Sequence, residues 1–252
     1  MTAGPLANHA SIDDIAGLNP QSIALLLDVD GTIVDIGPSP FEVHVPDELC
    51  RSLARLCERG GALALVSGRP IRDLDRLFSP FTLPAIGGHG AEMRIRKGEV
   101  VSSAAPLPQA LRRQLAEAAT PGSGVVVEDK GYSLALHYRQ APEQEARLRA
   151  LIAQARAAFP GEAVEVLPGK AMFEVKRPGV SKGEAVRKLM TLAPFAGRMP
   201  VFIGDDVTDA SVFAALPALG GRGYSVGRHF EAVAGIFDSP DDVREALRRL
   251  AG

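Results

Sequence analysis

The stretch Leu25-Leu26-Leu27-Asp28-Val29-Asp30-Gly31-Thr32 decides the fold, because it joins an apolar run that begins at Ile23 to two carboxylates and a hydroxyl. A short apolar run of this kind is typical of a buried strand. Two like charges at the end of a buried strand are unfavourable unless a cation or another partner compensates them. A hard divalent metal such as Mg²⁺ is bound by oxygen ligands and often by substrate phosphate. The stretch therefore predicts a metal and phosphate site near residue 30.

Apolar strands alternate with helices on both sides of this stretch. The predicted elements before residue 92 are strands at Ile23–Leu27, Ala62–Val66 and residues 84–86, with helices from Asp47 and from Pro70 to about Leu77. The alternation predicts an α/β fold with a parallel sheet, whose sites lie at the carboxyl ends of the strands. Asp28, Ser67 and Gly88 follow such ends. The pattern resumes at Ser181 and includes a strand over residues 200–203.

The hydrophobic period changes in the middle of the chain. Helical stretches over residues 108–119 and 143–158 alternate there with strands of period two at residues 132–139 and 171–176. The pattern predicts an antiparallel sheet with helices on its apolar face and charges on the opposite face. We expect an inserted α+β domain over residues 92–177, with residues 1–91 and 178–252 forming the α/β core. The first 21 residues read as a polar leader with a short helix.

The composition is that of an ordinary globular protein, with 252 residues of which 46% are hydrophobic and 23% charged. A net charge of −2 gives no strong attraction to nucleic acid or to anionic membranes. We find neither a signal-peptide pattern nor the run of about 18 apolar residues that a membrane span needs. Cys50 and Cys57 lie seven residues apart in a helical pattern, which indicates reduced thiols rather than a disulfide or a metal site. We expect a monomeric, cytoplasmic protein.

Asp28 and Asp30 are open to three interpretations. A calcium loop needs glycine at its sixth position and glutamate at its twelfth; here glycine is fourth and Ser39 is twelfth, so we reject that interpretation. A turn with helix capping is the second, because Asp and Gly often supply one. The third is a catalytic pair beside a metal, in which one carboxylate attacks phosphorus while the other protonates the leaving oxygen and then activates water.

A second acidic cluster, Gly204-Asp205-Asp206-Val207-Thr208-Asp209, follows another predicted strand. Acidic residues at a helix start can simply complement the helix dipole. Because both clusters lie at the same edge of the predicted sheet, together they could complete a Mg²⁺ site.

Two further motifs have a structural and a functional interpretation. Ser181 and Glu184 form a capping box at a helix start, which does not explain Lys182, since a lysine there opposes the helix dipole unless an anion lies nearby. Lys182 is therefore either a surface lysine or a residue that neutralises phosphate and an aspartyl nucleophile. Ser67-Gly68-Arg69 is likewise either a plain loop or a source of hydroxyl and backbone N–H groups for phosphate.

The charged face of the predicted antiparallel sheet carries His137, Arg139, Glu174 and Lys176. A solvated face is the ordinary interpretation of such alternation. The mixture of acid, base and imidazole would also suit a polyol phosphate, so both interpretations remain open.

Taken together, the motifs resemble those of the haloacid dehalogenase superfamily of phosphotransferases. Its four pieces occur here in the expected order, as residues 28–32, Ser67, Lys182 and residues 204–206. Within that superfamily the chain resembles the trehalose-6-phosphate phosphatase family most closely, through residues 67–69, 88–92, 127–131, 137–139, 169–170, 174–176 and 204–209. One departure is Ala210, because the family usually has glutamate after the Thr-Asp pair; the inner carboxylates remain.

The resemblance implies a haloacid-dehalogenase-like Rossmannoid core with an inserted cap domain. It also implies Mg²⁺-dependent hydrolysis of trehalose 6-phosphate to trehalose and phosphate through an aspartyl-phosphate intermediate, with no nucleic-acid or membrane partner. Asp28 would be the nucleophile, Asp30 the general acid and then base, and Lys182 a further catalytic residue. The implied phosphate-binding residues are Thr32, Ser67, Gly68 and Lys182.

The resemblance further implies a metal site and a sugar site. The implied metal ligands are Asp28, the backbone carbonyl of Asp30, and Asp205, with Asp206 or Asp209 supporting. The implied sugar-binding residues are Arg69, Gly88, His89, Gly90, Glu128, Lys130, His137, Arg139, Glu174 and Lys176.

Three alternatives remain at this stage. One is another sugar-phosphate phosphatase, acting on sucrose phosphate or mannosyl phosphoglycerate. A phosphosugar mutase would need a bisphosphate activator and would not accumulate free phosphate. A non-catalytic sugar-phosphate sensor would have no need to keep a nucleophile such as Asp28.

Overall fold

The computed structural model describes residues 9–37, 42–96, 98–102, 105–169 and 171–252. It divides into two compact units: a core unit, Met1–Val101 with Ser181–Gly252, and an inserted unit, Ser102–Val180. The sequence placed the insertion at residues 92–177; the structure begins it later because the strand Glu92–Arg94 pairs with Ala85–Gly87. The first eight residues of the predicted leader, and Lys170 in one quoted motif, lie outside the described residues.

The strands and helices follow one another through both units. In chain order the strands are β1 (Ile23–Leu27), β2 (Ala62–Val66), β3 (Ala85–Gly87), β4 (Glu92–Arg94), β5 (Val101–Ser102), β6 (Val126–Asp129), β7 (Ser133–His137), β8 (Glu165–Gly169), β9 (Met172–Lys176), β10 (Met199–Gly204), β11 (Arg222–Val226) and β12 (Gly235–Phe237). The helices are α1 (Ile12–Ala16), α2 (Asp47–Glu58), α3 (Ile71–Leu77), α4 (Gln109–Ala116), α5 (Glu145–Ala158), α6 (Lys182–Leu189), α7 (Ala210–Phe213) and α8 (Pro240–Ala251).

The core unit is built on a sheet with the strand order β12-β11-β10-β1-β2-β3-β4-β5. The strands from β12 to β3 pair in parallel, and β4 pairs with β3 in the antiparallel sense. This confirms the predicted α/β fold. The chain leaves β1 toward β2 on one side, whereas β10 occupies the other side, so β1 and β10 form a topological switch point. Ligands of parallel sheets bind outside the carboxyl ends of the strands at such a point.

β1 is buried along its whole length because helices cover both faces of the sheet. Leu25 and Leu27 belong to an apolar cluster with residues of α2, α3 and α8, whereas Leu26 packs into a second cluster with residues of α6 and α7. Strands of this kind read as continuous apolar runs rather than alternating ones. The polar residues that follow β1 are therefore held by a rigid, fully buried element.

The inserted unit is a four-stranded antiparallel sheet, in the order β6-β7-β9-β8, with α4 and α5 on one face. Leu134 and Leu136 of β7 and Phe173 of β9 share an apolar cluster with α4 and α5, and Tyr138 stacks on Phe173 with ring centroids 5.3 Å apart. This confirms the predicted apolar face. β8 was not predicted as a strand, because it contains Pro and Gly, which are depleted in strands.

Cys50 and Cys57 are both free thiols on α2, the first half-buried and the second exposed. Among the described residues no helix combines the length and the apolar character that a membrane crossing demands.

Leu26→Ala should lower the free energy of unfolding by about 2–5 kcal/mol, because it opens a cavity at a side chain with 0% exposure in the centre of the sheet. Urea unfolding followed by circular dichroism measures this change. The control is Ile36→Ala at a side chain that is 72% exposed, where we expect a change within about 0.5 kcal/mol. Equal losses in the two variants would contradict the packing described above.

Candidate active site

Three carboxylates and one lysine meet at the carboxyl ends of β1 and β10. Asp28, Asp205 and Asp209 each offer a carboxylate oxygen that lies within 4.8 Å of the other two. Lys182, the first residue of α6, places Nζ 2.7 Å from Asp28 Oδ1 and 2.7 Å from Asp209 Oδ1. We call these four residues the carboxylate–lysine cluster. The structure thus brings together four of the residues predicted for the catalytic and metal sites.

The backbone fixes each member of the cluster. The Asp28 N–H donates to Ile203 O at 2.9 Å, which continues the pairing of β1 with β10 past the strand end. Asp209 Oδ2 accepts from the backbone N–H groups of Asp205 at 3.0 Å and Asp206 at 2.9 Å. Gly31 has φ +83°, and a Cβ there would lie 2.3 Å from Asp205 Oδ2. The motif therefore needs glycine at this position both for its backbone conformation and for space.

Burial sets the electrostatics of the cluster. It raises the pKa of Asp28 to about 7, with Lys182 opposing the shift and Asp205 adding to it. Burial likewise raises the pKa of Asp209 to about 7 and raises that of Asp205. Burial alone would lower the pKa of Lys182, but Asp209 and Asp28 outweigh it and hold that pKa above its usual value.

This donor set fits a divalent cation. When all three carboxylates are ionised, one ammonium leaves a surplus of negative charge in a site where Asp28, Asp209 and Lys182 are all buried. Uncompensated buried charge is costly, and a hard cation with oxygen ligands removes that cost. The predicted ligand Asp206 stands apart from these oxygens: it is exposed, and its side chain caps the turn Val207–Asp209. Ala210 is exposed at the start of α7, so the departure from the family pattern leaves the cluster intact.

Thr32 and Ser67 border the cluster. Thr32 is fully buried, with Oγ1 3.1 Å from Asp28 Oδ2 and 3.0 Å from Asp205 Oδ1. Ser67 is buried at the end of β2, and its Oγ accepts from the Arg69 N–H at 3.1 Å. A Cβ on Gly68 would lie 2.3 Å from the His89 ring, so glycine lets the ring pack against this loop. The turn Gly88–Gly90 follows β3, with His89 in the left-handed region at φ 55°.

Asp30 turns its side chain toward Arg69. Arg69 Nε donates to Asp30 Oδ2 at 2.7 Å, and Arg69 Nη2 donates to Asp30 Oδ1 at 2.6 Å. This is a bidentate, charge-assisted pair, the strongest class of side-chain hydrogen bonding. Arg69, which was predicted to bind the sugar, therefore forms an ion pair with Asp30, the predicted acid–base residue.

The polar face of the inserted unit carries a second cluster. Glu174 is buried and accepts from Ser133 Oγ at 2.8 Å, while Lys130 Nζ lies 3.6 Å from Glu174 and 3.8 Å from Glu128. His137 Nε2 lies 3.3 Å from Glu128 Oε2. We call Glu128, Lys130, His137 and Glu174 the polar cluster of the inserted unit. It contains four of the residues predicted to bind sugar.

The other two predicted residues of this unit have different contacts, although Lys176 shares the polar face of β9 with Glu174. Lys176 donates to Val180 O and lies 3.8 Å from Glu165, and Arg139 is exposed in the turn after β7. Sequence reasoning did not assign roles to Ser133 and Glu165. Ser133 shares the polar face of β7 with His137, so alternation could have indicated it. Glu165 lies on β8, which was not predicted as a strand because it contains Pro and Gly.

A family model described as trehalose-phosphatase matches residues 26–233. The chain belongs to the trehalose-phosphatase family. It is 42% identical over 209 residues to trehalose-6-phosphate phosphatase of Escherichia coli (strain K12), covering 81% of this chain and 77% of that protein. It is 40% identical over 230 residues to a probable trehalose-phosphate phosphatase of Sinorhizobium fredii (strain NBRC 101917 / NGR234), covering 90% of this chain and 85% of that protein.

Solved structures share the fold of this trehalose-phosphatase family member. The C-terminal domain of trehalose-6-phosphate phosphatase from C. albicans matches with a TM-score of 0.79 at 22% identity, over 99% of each chain. A trehalose-6-phosphate phosphatase related protein matches with a TM-score of 0.73 at 24% identity, over 91% of this chain and 97% of that one. At such identities the likeness establishes the shared fold, including the haloacid-dehalogenase-like core.

Lys182→Met should lower the free energy of unfolding by about 3–5 kcal/mol in metal-free buffer, because two buried carboxylates lose the ammonium between them. Thermal or urea unfolding measures the loss. Lys188→Met, at an exposed position on the same helix, is the matched control and should change stability by less than about 0.5 kcal/mol. If Lys182→Met proves as stable as the control, the carboxylates do not depend on this lysine for their charge balance.

Proposed function

We propose that this protein hydrolyses trehalose 6-phosphate to trehalose and inorganic phosphate, with Asp28 as the nucleophile and Mg²⁺ as the cofactor. The observation that carries the proposal is the carboxylate–lysine cluster, where a buried nucleophile candidate lies 2.7 Å from a lysine. Membership of the trehalose-phosphatase family supports the substrate. A cytoplasmic location is proposed with it, since the chain has only two cysteines and both lie on one helix, which leaves no disulfide framework.

The proposed metal ligands are Asp28, Asp205 and Asp209, whose oxygens converge, with the backbone carbonyl of Asp30 as a fourth. Asp206 is a weaker candidate because its side chain caps a turn. When bound, Mg²⁺ supplies positive charge that stabilises the negative charge on the phosphoryl oxygens. Side chains and backbone groups of the protein carry out the bond-making, bond-breaking and proton-transfer steps.

In the first half-reaction an Asp28 carboxylate oxygen forms a bond to phosphorus. The bond between phosphorus and the sugar oxygen breaks, its electron pair stays on the sugar oxygen, and Asp30 delivers the proton that makes trehalose. In the second half-reaction the oxygen of a water molecule attacks phosphorus while Asp30 takes a proton from that water. The bond between phosphorus and Asp28 breaks, which releases phosphate and restores the Asp28 carboxylate.

Charge neutralisation around phosphorus falls to residues that already surround Asp28. Phosphoryl transfer depends mainly on positioning and on electrostatic stabilisation of the transferred group. The Lys182 ammonium is buried beside Asp28 and holds its charge. Thr32, with its hydroxyl 3.1 Å from Asp28, and the loop at Ser67 and Gly68 are the proposed remaining donors to the phosphoryl oxygens.

The polar cluster of the inserted unit is the proposed recognition site for the sugar hydroxyls. It offers two carboxylates, an ammonium and an imidazole on one sheet face, and Ser133 fixes the buried Glu174. Carboxylates that accept from hydroxyls, beside a cation that donates to them, suit a polyol better than an apolar ligand. Lys176, Arg139 and the turn Gly88–Gly90 with His89 remain further candidates for sugar binding.

Phosphate release from a panel of sugar phosphates tests the proposal. With Mg²⁺ we expect strong preference for trehalose 6-phosphate over sucrose phosphate and mannosyl phosphoglycerate, and a chelator should abolish release because the carboxylates then lack their cation. Asp28→Asn should be inactive while its circular dichroism spectrum is unchanged. Broad, weak release would contradict the assigned substrate. Conversion of the sugar phosphate that requires a bisphosphate and accumulates no free phosphate would indicate a mutase, and no turnover of any kind would indicate a sensor.

Glu174→Gln should reduce kcat/KM for trehalose 6-phosphate by about 10- to 100-fold, the equivalent of one lost charge-assisted hydrogen bond of about 1.5–3 kcal/mol. It should change kcat/KM for p-nitrophenyl phosphate by less than about twofold, because that substrate has no sugar hydroxyls to recognise. Glu145→Gln, in an exposed pair with Arg149 on α5, is the matched control. Equal losses with both substrates would exclude Glu174 from sugar recognition.

A further inference from the structure

The bidentate pair of Arg69 with Asp30 occupies both oxygens of the proposed acid–base residue. The distances of 2.7 Å from Arg69 Nε to Asp30 Oδ2 and 2.6 Å from Arg69 Nη2 to Asp30 Oδ1 are those of charge-assisted hydrogen bonds. The Arg69 side chain is 16% exposed and that of Asp30 is 35% exposed, so the pair is partly shielded from water. Exposed ion pairs are often too weak to fix the conformation of a side chain. In a partly buried pair, a planar guanidinium that contacts both carboxylate oxygens fixes both side chains.

The backbone on both sides of the pair is rigid. At Asp30 the chain makes a tight turn, with a bridge between Asp30 and Val34 and the Gly31 N–H donating to Val34 O at 2.7 Å. On the other side the Arg69 carbonyl accepts from the Gly88 N–H at 2.9 Å, and Pro70 then leads into α3. With both backbones fixed, the orientation of the Asp30 carboxylate depends on its side-chain torsions, which the guanidinium sets.

The bidentate pair with Arg69 still allows the Asp30 carboxylate to transfer protons. Each carboxylate oxygen has two lone pairs, and Arg69 uses one on each. The remaining lone pair of either oxygen can carry a proton for a leaving oxygen or accept one from water. The Nε–Nη2 edge of the guanidinium, which suits bidentate binding of carboxylate or phosphate, is already engaged with Asp30.

We propose that Arg69 is a positioning residue for proton transfer, which holds the Asp30 carboxylate at a fixed angle to the phosphorus bound at Asp28. This inference rests on the proposed function, in which Asp30 gives a proton to the sugar oxygen and later takes one from water. It replaces the expectation that Arg69 binds the sugar. The bonds made and broken are those of the two half-reactions above, and Arg69 itself neither gains nor loses a proton.

The positioning role has a distinct kinetic signature. With p-nitrophenyl phosphate the leaving group needs no proton, so formation of the aspartyl phosphate should stay fast without Arg69. Attack by water still requires Asp30 as a base, so this step should slow. Arg69→Met should therefore give a burst of about one nitrophenolate per enzyme, followed by a steady state about 10- to 1,000-fold below wild type, within the range of acid–base contributions.

The same variant should lower kcat for trehalose 6-phosphate by a similar factor, with KM changed by less than about twofold. Arg69→Lys, which keeps the charge but loses the bidentate contact, should fall between Arg69→Met and wild type. Arg72→Met, at a side chain that is 63% exposed two residues after Pro70, is the matched control and should behave as wild type. Thermal unfolding of each variant, measured alongside, separates lost activity from lost structure.

Asp30→Asn, alone and combined with Arg69→Met, separates failure of the inference from failure of the proposed function. If Arg69 acts through Asp30, the double variant should be no slower than Asp30→Asn alone. A raised KM with unchanged kcat and no burst in Arg69→Met would overturn the inference in favour of substrate binding. Wild-type turnover in Asp30→Asn would instead overturn the role of Asp30 in the proposed function. A slow Asp30→Asn beside a normal Arg69→Met would overturn only the positioning role.

Discussion

The contact of the Lys182 ammonium with Asp28 and Asp209 is the interaction on which the rest of the core depends. Without this contact the buried carboxylates of Asp28 and Asp209, with the half-buried Asp205 beside them, would repel one another and oppose folding. The contact also joins the two segments of the core unit, because Asp28 precedes the insertion and Lys182 follows it. One buried ammonium therefore helps to hold the fold and lies beside the proposed nucleophile, and a metal ion can neutralise the negative charge that the ammonium leaves unbalanced.

In the proposed function the two units divide the chemistry between them. The core unit holds the groups that suit phosphoryl transfer, whereas the inserted unit presents a polar sheet face with no part in the carboxylate–lysine cluster. Different physical demands explain this separation. Transfer of a phosphoryl group needs rigid strand ends and concentrated charge, while discrimination among sugars needs a wide surface of hydrogen-bonding groups, which an antiparallel sheet with one polar face provides.

The strand ends of the core could be predicted from the sequence because burial leaves a strong signal there. Ile23–Leu27 and residues 200–203 read as apolar runs, and the carboxylates that follow them had to meet at one edge of a parallel sheet. Lys182 could be singled out because it opposes a helix dipole. The pairing of Arg69 with Asp30 could not be predicted, since it depends on side-chain torsions between two loops. β8 was not predicted because Pro168 and Gly169 are unfavourable in strands. The short β4 was not predicted either, because its pairing with β3 is a tertiary contact.

The insertion also has a consequence for the order in which this chain can fold during synthesis. β1 lies between β2 and β10, but β10 is translated only after the whole of the inserted unit has been translated. Until then one edge of the most buried strand has no partner, and its unpaired backbone groups are open to other chains. The inserted unit, whose strands and helices are contiguous in sequence, is complete first. The late segment that carries Lys182 and Asp209 thus closes the sheet and assembles the charge cluster in the same step.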